Sequence, residues 1–272
     1  MPITPLIESC YMRLVDGIFK RKQQPTPSPS ALKKCKLIAH RGEHDNVAVM
    51  ENSLPAFEHA LEADVWGIEL DIRWTADLEP VVFHDADLSR LFRRPDQIGD
   101  LSFKQLRKRV RLIPSLAEVV ERFGKRSHLM IEIKHHQWPD PKRQSRKLLE
   151  ALAPLAPAED YHLMVLDPAI LAPLSGFPTR CMIAIAYHWP DRYSRWVVEH
   201  DWGGLATHYS MLRQSLIGRH RSRGQKVGTA FPNSRNCLFR ELNRGVDYIF
   251  SNHAVSLQNI VKRVSSASTQ CH

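Results

Sequence analysis

A chain of 272 residues, 43% hydrophobic and 25% charged, can hold one large domain and has the make-up of an ordinary soluble globular protein. No apolar run approaches the roughly 20 residues that a membrane-crossing helix needs, and five scattered cysteines without a CxxC pair read as free thiols in a reducing compartment. Net charge is +9, of which +5 falls in residues 1–36; this favours anionic partners, while no RNA-binding, zinc-finger or helix-turn-helix signature points to nucleic acid.

The opening "MPITPLIESC" lacks a basic stretch and carries Glu8, so no secretory signal is read there and a cytoplasmic location is expected. Ile7, Tyr11, Leu14 and Ile18 recur at helical spacing before "KRK" at 20–22. This segment either forms an amphipathic helix that docks on its own domain or a second copy, or makes peripheral contact with an anionic membrane through residues 1–22, or stays disordered. "PTPSPS" at 25–30 predicts an extended spacer. Residues 1–35 are therefore read as a helical extension and linker, and 36–272 as the folded domain.

Beyond residue 36, short apolar runs alternate with amphipathic segments. The strand candidates are "KLIAH", "WGIELDI", "PVVFHD", "HLMIEIK", "YHLMVL", "CMIAIAY", "GGLATH", "KVGTAF" and "VDYIFS". Helices are expected over 54–63, after Asn52, and from Ser115, where Glu118 completes a capping box. Such alternation predicts a parallel sheet, most economically an α/β (β/α)8 TIM-type barrel with an N-terminal helical extension. Nine candidates for eight positions leave one strand spare, and the pattern does not say which.

Four of these candidates end in ionisable groups: His40/Arg41, Glu69/Asp71, His84/Asp85 and Glu132/Lys134. Side chains alternate along a strand, so Glu69 and Asp71 share one face while Ile68, Leu70 and Ile72 share the other. In a barrel the C-terminal strand ends face one mouth, which would bring the four clusters together. Core ion pairing, Lys134 with Glu132 and Arg41 with Asp71, is the plain alternative. Three carboxylates without a cysteine suit a hard cation, Mg²⁺ or Ca²⁺. His40 and His84 remain for acid and base work, Arg41 and Lys134 for an anion, and Gly42 for close backbone approach. Together these describe phosphodiester hydrolysis by in-line displacement.

"AHRG", "EN" (Glu51, Asn52), "GIELDIRWTADLEPVVFHD", "IPSLAEVVERF" and "IEIK" occur in order and resemble the glycerophosphodiester phosphodiesterases, closely over residues 37–134 and weakly to about 263. The resemblance implies hydrolysis of glycerophosphodiesters to glycerol 3-phosphate and an alcohol. It makes His40 and His84 the acid/base pair, Glu69, Asp71 and Glu132 the ligands of a divalent cation, and Arg41, Lys134 and Glu51 the supporting groups at substrate and metal. The first loop, "EHDNVAV", is longer than the family's, which brings His44 and Asp45 into consideration. Ala230 stands where a pocket tryptophan is usual, Asn233 is kept, and "SNHA" at 251–254 replaces a "TD-P" element. Trp74 and Trp189, each following a strand candidate, either line the mouth or pack under a helix. These departures leave room for a lysophospholipase D or sphingomyelinase D-like enzyme, and, from another class, for a barrel that only binds phosphate or lipid headgroups.

Overall fold

The computed structural model describes residues 15–134, 138–171 and 174–269. Among the described residues nine strands form: β1 (Leu37–His40), β2 (Gly67–Trp74), β3 (Pro80–Val82), β4 (His128–Ile133), β5 (Tyr161–Val165), β6 (Met182–Ala186), β7 (Gly204–His208), β8 (Lys226–Ala230) and β9 (Tyr248–Ser251). Eight are parallel and run β1-β9-β8-β7-β6-β5-β4-β2, and β2 pairs with β1 to close the ring. The expected (β/α)8 barrel is therefore present.

The spare strand is β3, which pairs antiparallel with β2 and lies outside the ring. The chain between them explains this: residues 75–79 are far too few for a parallel crossover, which takes a dozen or more. Thr75 caps the turn instead, its backbone N–H donating to Glu79 O at 3.1 Å while its hydroxyl receives the Glu79 N–H at 3.0 Å. His84 and Asp85 thus stand on the return of a hairpin, not at a barrel-strand end as the four-strand reading had it. Between β5 and β6 the described residues hold only 3₁₀ turns, Pro168–Leu171 and Thr179–Cys181. Prolines at 168, 173 and 178 recur too closely for a helix.

Alternation along the strands sorts the core. Ile68, Leu70, Ile72, Leu129, Ile131 and Ile133 face outward and are buried under the helices. Ile38, Met130, Met164, Ile183, Ala206 and Phe250 fill the ring. Both expected helix starts form: Ser53 caps Leu54–Glu62, and Ser115 with Glu118 makes a full capping box on Leu116–Phe123.

At the N-terminal end, residues 15–21 are helical and lie on the barrel. Phe19 meets the Tyr209 ring edge-on at 5.5 Å, and Asp16 accepts from the Tyr209 hydroxyl and from Asn233 Nδ2. The docked alternative thus describes this part of the helix; Ile18 is exposed, and Ile7, Tyr11 and Leu14 lie outside the described residues. Among the described residues no helix is long and apolar enough to cross a membrane. The spacer ends earlier than expected: Ser28 caps a short helix, Pro29–Lys33, whose Leu32 joins the core, because proline is well suited to a first helical turn. Cys35, Cys181 and Cys237 are free thiols, and Cys10 and Cys271 lie outside the described residues.

The bottom of the barrel is plugged by aromatic rings. Trp66 stacks on His128 at 4.5 Å and on Tyr248 at 5.5 Å, with Lys36 Nζ 4.5 Å from the Trp66 centroid. His128 Nδ1 must donate to the Glu159 carbonyl, 2.9 Å away. Its Nε2 is then an acceptor, and His162 Nδ1–H donates to it at 2.8 Å. Burial lowers His128 from 6.5 to about 4; burial, and then the neighbouring His128, lower His162 from 6.5 to about 3. Both rings are neutral when folded but take up protons near pH 6.5 when unfolded. Their contribution to stability is therefore intact above pH 6.5 and is lost as pH falls toward about 4. His162→Gln keeps a donor for His128 and removes one titrating ring. Thermal unfolding from pH 7 to 4.5 should show a shallower fall of Tm in this variant than in the parent.

Candidate active site

The "HRG" turn ends β1 because its backbone is built for it. Arg41 has φ 58° and Gly42 φ 80°, and the Arg41 N–H donates both to Glu69 O and to Glu69 Oε2 at 3.0 Å. A Cβ on Gly42 would sit 2.7 Å from the Ala56 backbone carbon, so the turn can press against the next helix only with glycine there. The carboxylates follow from strand register: His40 pairs with Glu69, and Asp71 with Glu132 on the adjacent strand. One oxygen each of Glu69, Asp71 and Glu132 lies within 4.8 Å of the others, and all three residues are buried.

Both ion pairs of the plain alternative exist. Lys134 Nζ is 2.5 Å from Glu132 Oε1 and 2.9 Å from Asp71 Oδ1, and Arg41 Nε is 3.2 Å from Asp71 Oδ2. Asn52 adds a two-way clamp, Nδ2 to Asp71 Oδ2 at 2.8 Å and Asp71 N–H to Asn52 Oδ1 at 3.1 Å. Burial would raise Asp71, but Lys134 and Arg41 hold it well below the usual carboxylate range. Glu69 is not so served. Its Oε1 is buried without a hydrogen-bond partner, and burial plus the neighbouring Asp71 and Glu132 push it well up. Burial, then Asp71, also raises Glu132.

The arrangement thus asks for more positive charge than the side chains supply. Counted as ions, Glu51, Glu69, Asp71, Asp85 and Glu132 face Arg41, Arg73, Arg90 and Lys134, one negative charge in excess. A hard divalent cation fits this oxygen set and this deficit, and it would leave the mouth with one positive charge, matched to a phosphodiester anion.

The two histidines are oriented alike. His40 Nδ1 lies 2.6 Å from Asn252 Oδ1, and His84 Nδ1 lies 2.8 Å from Asp85 Oδ1. Both acceptors fix the proton on Nδ1 and leave an Nε2 lone pair; that of His40 lies 3.8 Å from Glu69 Oε2. Burial and then Arg41 lower His40 to about 3, and burial also lowers His84, which the Asp71 and Asp85 carboxylates partly offset. Phe231 packs against the His40 ring at 4.7 Å.

Of the eight site residues expected from the sequence, His40, Arg41, Glu69, His84, Glu132 and Lys134 line one cavity of about 640 Å³ at the C-terminal mouth, with Asp71 directly beneath. Glu51 sits behind Arg41. It accepts from Arg41 Nη1 at 3.0 Å, from Asn46 Nδ2 at 2.8 Å and from Arg90 at 2.5 Å; burial would raise it, but Arg90 and then Arg41 bring it down to about 2. The longer first loop folds on itself, Asp45 accepting three successive N–H groups, while His44 Nε2 stops 3.9 Å from Glu51. Trp74 is buried, and Trp189 is 76% exposed. Asn252 stands in the "SNHA" element but was not read as the partner of His40, and Arg90 escaped the sequence reading, since an arginine on a polar helix carries no signal of its own. Asn46 and Asn52 left a faint one: both adopt φ 56°, which asparagine tolerates best after glycine.

A parallel barrel that gathers anion-binding cations and two oriented imidazoles around a carboxylate trio belongs with the phosphodiester hydrolases. Residues 40–157 match the glycerophosphoryl diester phosphodiesterase family. A glycerophosphodiester phosphodiesterase of Bacillus altitudinis is 36% identical over 109 residues, covering 36% of this chain and 44% of that protein. One from Caldanaerobacter subterraneus subsp. tengcongensis is 26% identical over 250 residues, 85% of this chain and 99% of the relative. An Oleispira antarctica phosphodiesterase, solved in complex with the product sn-glycerol-3-phosphate, shares the fold with a TM-score of 0.68 at 21% identity, over 85% of this chain and 99% of that one. By these matches the chain, and its residues 40–157 above all, resembles the glycerophosphodiester phosphodiesterase family.

Gly42→Ala tests the turn. The contact with Ala56 and the positive φ together should cost about 1–3 kcal/mol of stability. They should also move His40 and Arg41, so denaturant unfolding should show a lower midpoint and turnover should drop in the fraction that remains folded.

Proposed function

We propose that this protein hydrolyses glycerophosphodiesters to glycerol 3-phosphate and an alcohol, with a divalent cation held by Glu69, Asp71 and Glu132 and with His40 and His84 moving the protons. The carrying observation is the pair of imidazoles, each held at Nδ1 by an acceptor, on a cavity floored by a carboxylate trio short of positive charge. The cation, when bound, would polarise the phosphoryl group and stabilise charge developing on its oxygens. Arg41 and Lys134 line the cavity and draw the anionic diester to the histidine side.

The division of labour follows from the partners. Burial keeps His40 neutral, and its free Nε2, with the Glu69 carboxylate 3.8 Å away to favour the imidazolium that forms, takes the proton of the attacking water. Asp85 is anionic and favours a protonated His84, which delivers its proton to the leaving alkoxide. Arg90 bridges Asp85 and Glu51, so it ties the His84 side of the mouth to the Arg41 side. The product seen in the Oleispira antarctica phosphodiesterase supports glycerol 3-phosphate as the product here.

Release of glycerol 3-phosphate from glycerophosphocholine by purified protein should require Mg²⁺ or Ca²⁺ and stop in EDTA. His40→Ala and His84→Ala should each lower kcat by about 10²–10⁴-fold. A p-nitrophenyl diester, whose leaving group needs no proton, should restore much of the rate to His84→Ala and none to His40→Ala. Tight phosphodiester binding without turnover under either metal would favour a headgroup-binding barrel instead.

A further inference from the structure

The short helix at residues 15–21 meets the barrel through a few side chains on one side. Val15 and Phe19 pack with Tyr209 and Cys237 in a small apolar cluster, while Gly17, Ile18 and Lys20 are exposed. Asp16 stands beside the apolar pair and spends both carboxylate oxygens outside its own helix. Oδ1 accepts from the Tyr209 hydroxyl, and Oδ2 accepts from Asn233 Nδ2 at 2.7 Å.

Tyr209 follows β7 and Asn233 follows β8, so one side chain fastens two neighbouring mouth loops to each other. Neither partner lines the cavity, yet residues close to each do: His208 and Met211 on one loop, Ala230 and Phe231 on the other. The Tyr209 ring lies against that of His208, centroids 4.3 Å apart, and the Tyr209 N–H donates to Ala230 O at 2.7 Å. Phe231, the ring that packs on His40, precedes Asn233 by two residues. Ser251 Oγ holds the same loop from the β9 side through Pro232 O. Of these two anchors the Asp16 bond is charge-assisted, the stronger kind.

Docking alone does not ask for this cross-link. Asn236 Nδ2 donates to Lys20 O at 2.8 Å and Asn243 Nδ2 to Pro25 O at 2.9 Å, and both belong to the outer helix Arg235–Arg244. With the apolar pair, these bonds seat the segment without touching a mouth loop.

We propose that Asp16 is a positioning residue of the active site: by tying the β7 and β8 loops together it holds Phe231 against the His40 ring and keeps His40 Nε2 aimed at the attacking water. The inference rests on the role given to His40 above and extends the working site to a helix outside the barrel. Arg41, Lys134 and the carboxylate trio stand on or directly after β1, β2 and β4. Loosening the β7 and β8 loops therefore leaves phosphate binding in place and disturbs proton transfer.

The test compares Asp16→Ala, Asp16→Asn and Asn243→Ala in glycerophosphocholine hydrolysis with Mg²⁺, with Tm measured for each. A displaced ring costs rate steeply, so Asp16→Ala should lower kcat by about 10-fold and leave KM within about 2-fold. Asp16→Asn keeps an acceptor for Tyr209 and should recover most of the rate, since Asn233 can turn its own amide to meet the new one. Asn243→Ala loosens the same segment and should lower Tm but keep the parent kcat. The p-nitrophenyl diester should not rescue Asp16→Ala, because the fault lies with His40.

A parent-like kcat in Asp16→Ala, a raised KM in its place, or an equal loss of kcat in Asn243→Ala would make the helix a docking strap alone and overturn the inference. Rescue by the p-nitrophenyl diester would move the fault to His84 and overturn it too. A second readout needs no turnover. In protein carrying isotope-labelled histidine, the His40 Nδ1–H resonance, assigned by its loss in His40→Ala, should shift or broaden in Asp16→Ala and stay unchanged in Asn243→Ala. Were the parent itself inactive, a disturbed resonance would keep the positioning role while the phosphodiesterase reading falls, and an undisturbed one would overturn both.

Discussion

Three carboxylates buried inside a closed barrel are the constraint on which the rest of this structure depends. Unpaired ions in such a place cost several kcal/mol each, so every neighbouring element brings charge or a hydrogen bond to Glu69, Asp71 and Glu132. Lys134 bridges two of them, Arg41 reaches Asp71, and Asn52 clamps Asp71 from the following loop. Arg41 is in turn fixed by Glu51, and Glu51 by Arg90 and Asn46. The first loop, the hairpin and three barrel strands are thus one electrostatic unit. Its remaining imbalance is concentrated on Glu69 Oε1, which is buried without a hydrogen-bond partner.

That unit occupies only one side of the ring, and the sidedness comes from secondary structure. β1, β2 and β4 are hydrogen-bonded neighbours, so their inward polar positions fall together by register. The strands from β5 to β9 put Met164, Ile183, Ala206 and Phe250 at the corresponding inward positions. The segment after β5 also lacks a helix among the described residues and turns through 3₁₀ steps.

Much of this was legible in the sequence because it rests on local rules. Period-two alternation gives the barrel faces, and it puts Glu69 and Asp71 together on one of them. The capping box at Ser115 likewise named a helix start. The spare strand was also within reach, since five residues between Trp74 and Pro80 forbid a parallel crossover. What sequence could not show is partnership across distance. Nothing near His40 announces Asn252, 212 residues away, and nothing in "LSRLF" announces that Arg90 will close on Glu51. Such contacts are set by how the ring closes, a property of all eight strands at once.

The closure carries a last consequence for His40. It ends the first barrel strand, yet the groups that orient it come from the last two: Asn252 follows β9, and Phe231 follows β8. The two are fastened to each other, because Ser251 Oγ donates to Pro232 O at 2.6 Å and receives the His253 N–H at 3.0 Å. Asn233, on the same loop, is held by Asp16 of the N-terminal helix. His40 therefore acquires its tautomer and its ring position only when β1 docks beside β9. The orientation of the His40 imidazole is thus tied to a contact 212 residues away in the chain, and in a half-formed barrel the ring would lack both Asn252 and Phe231.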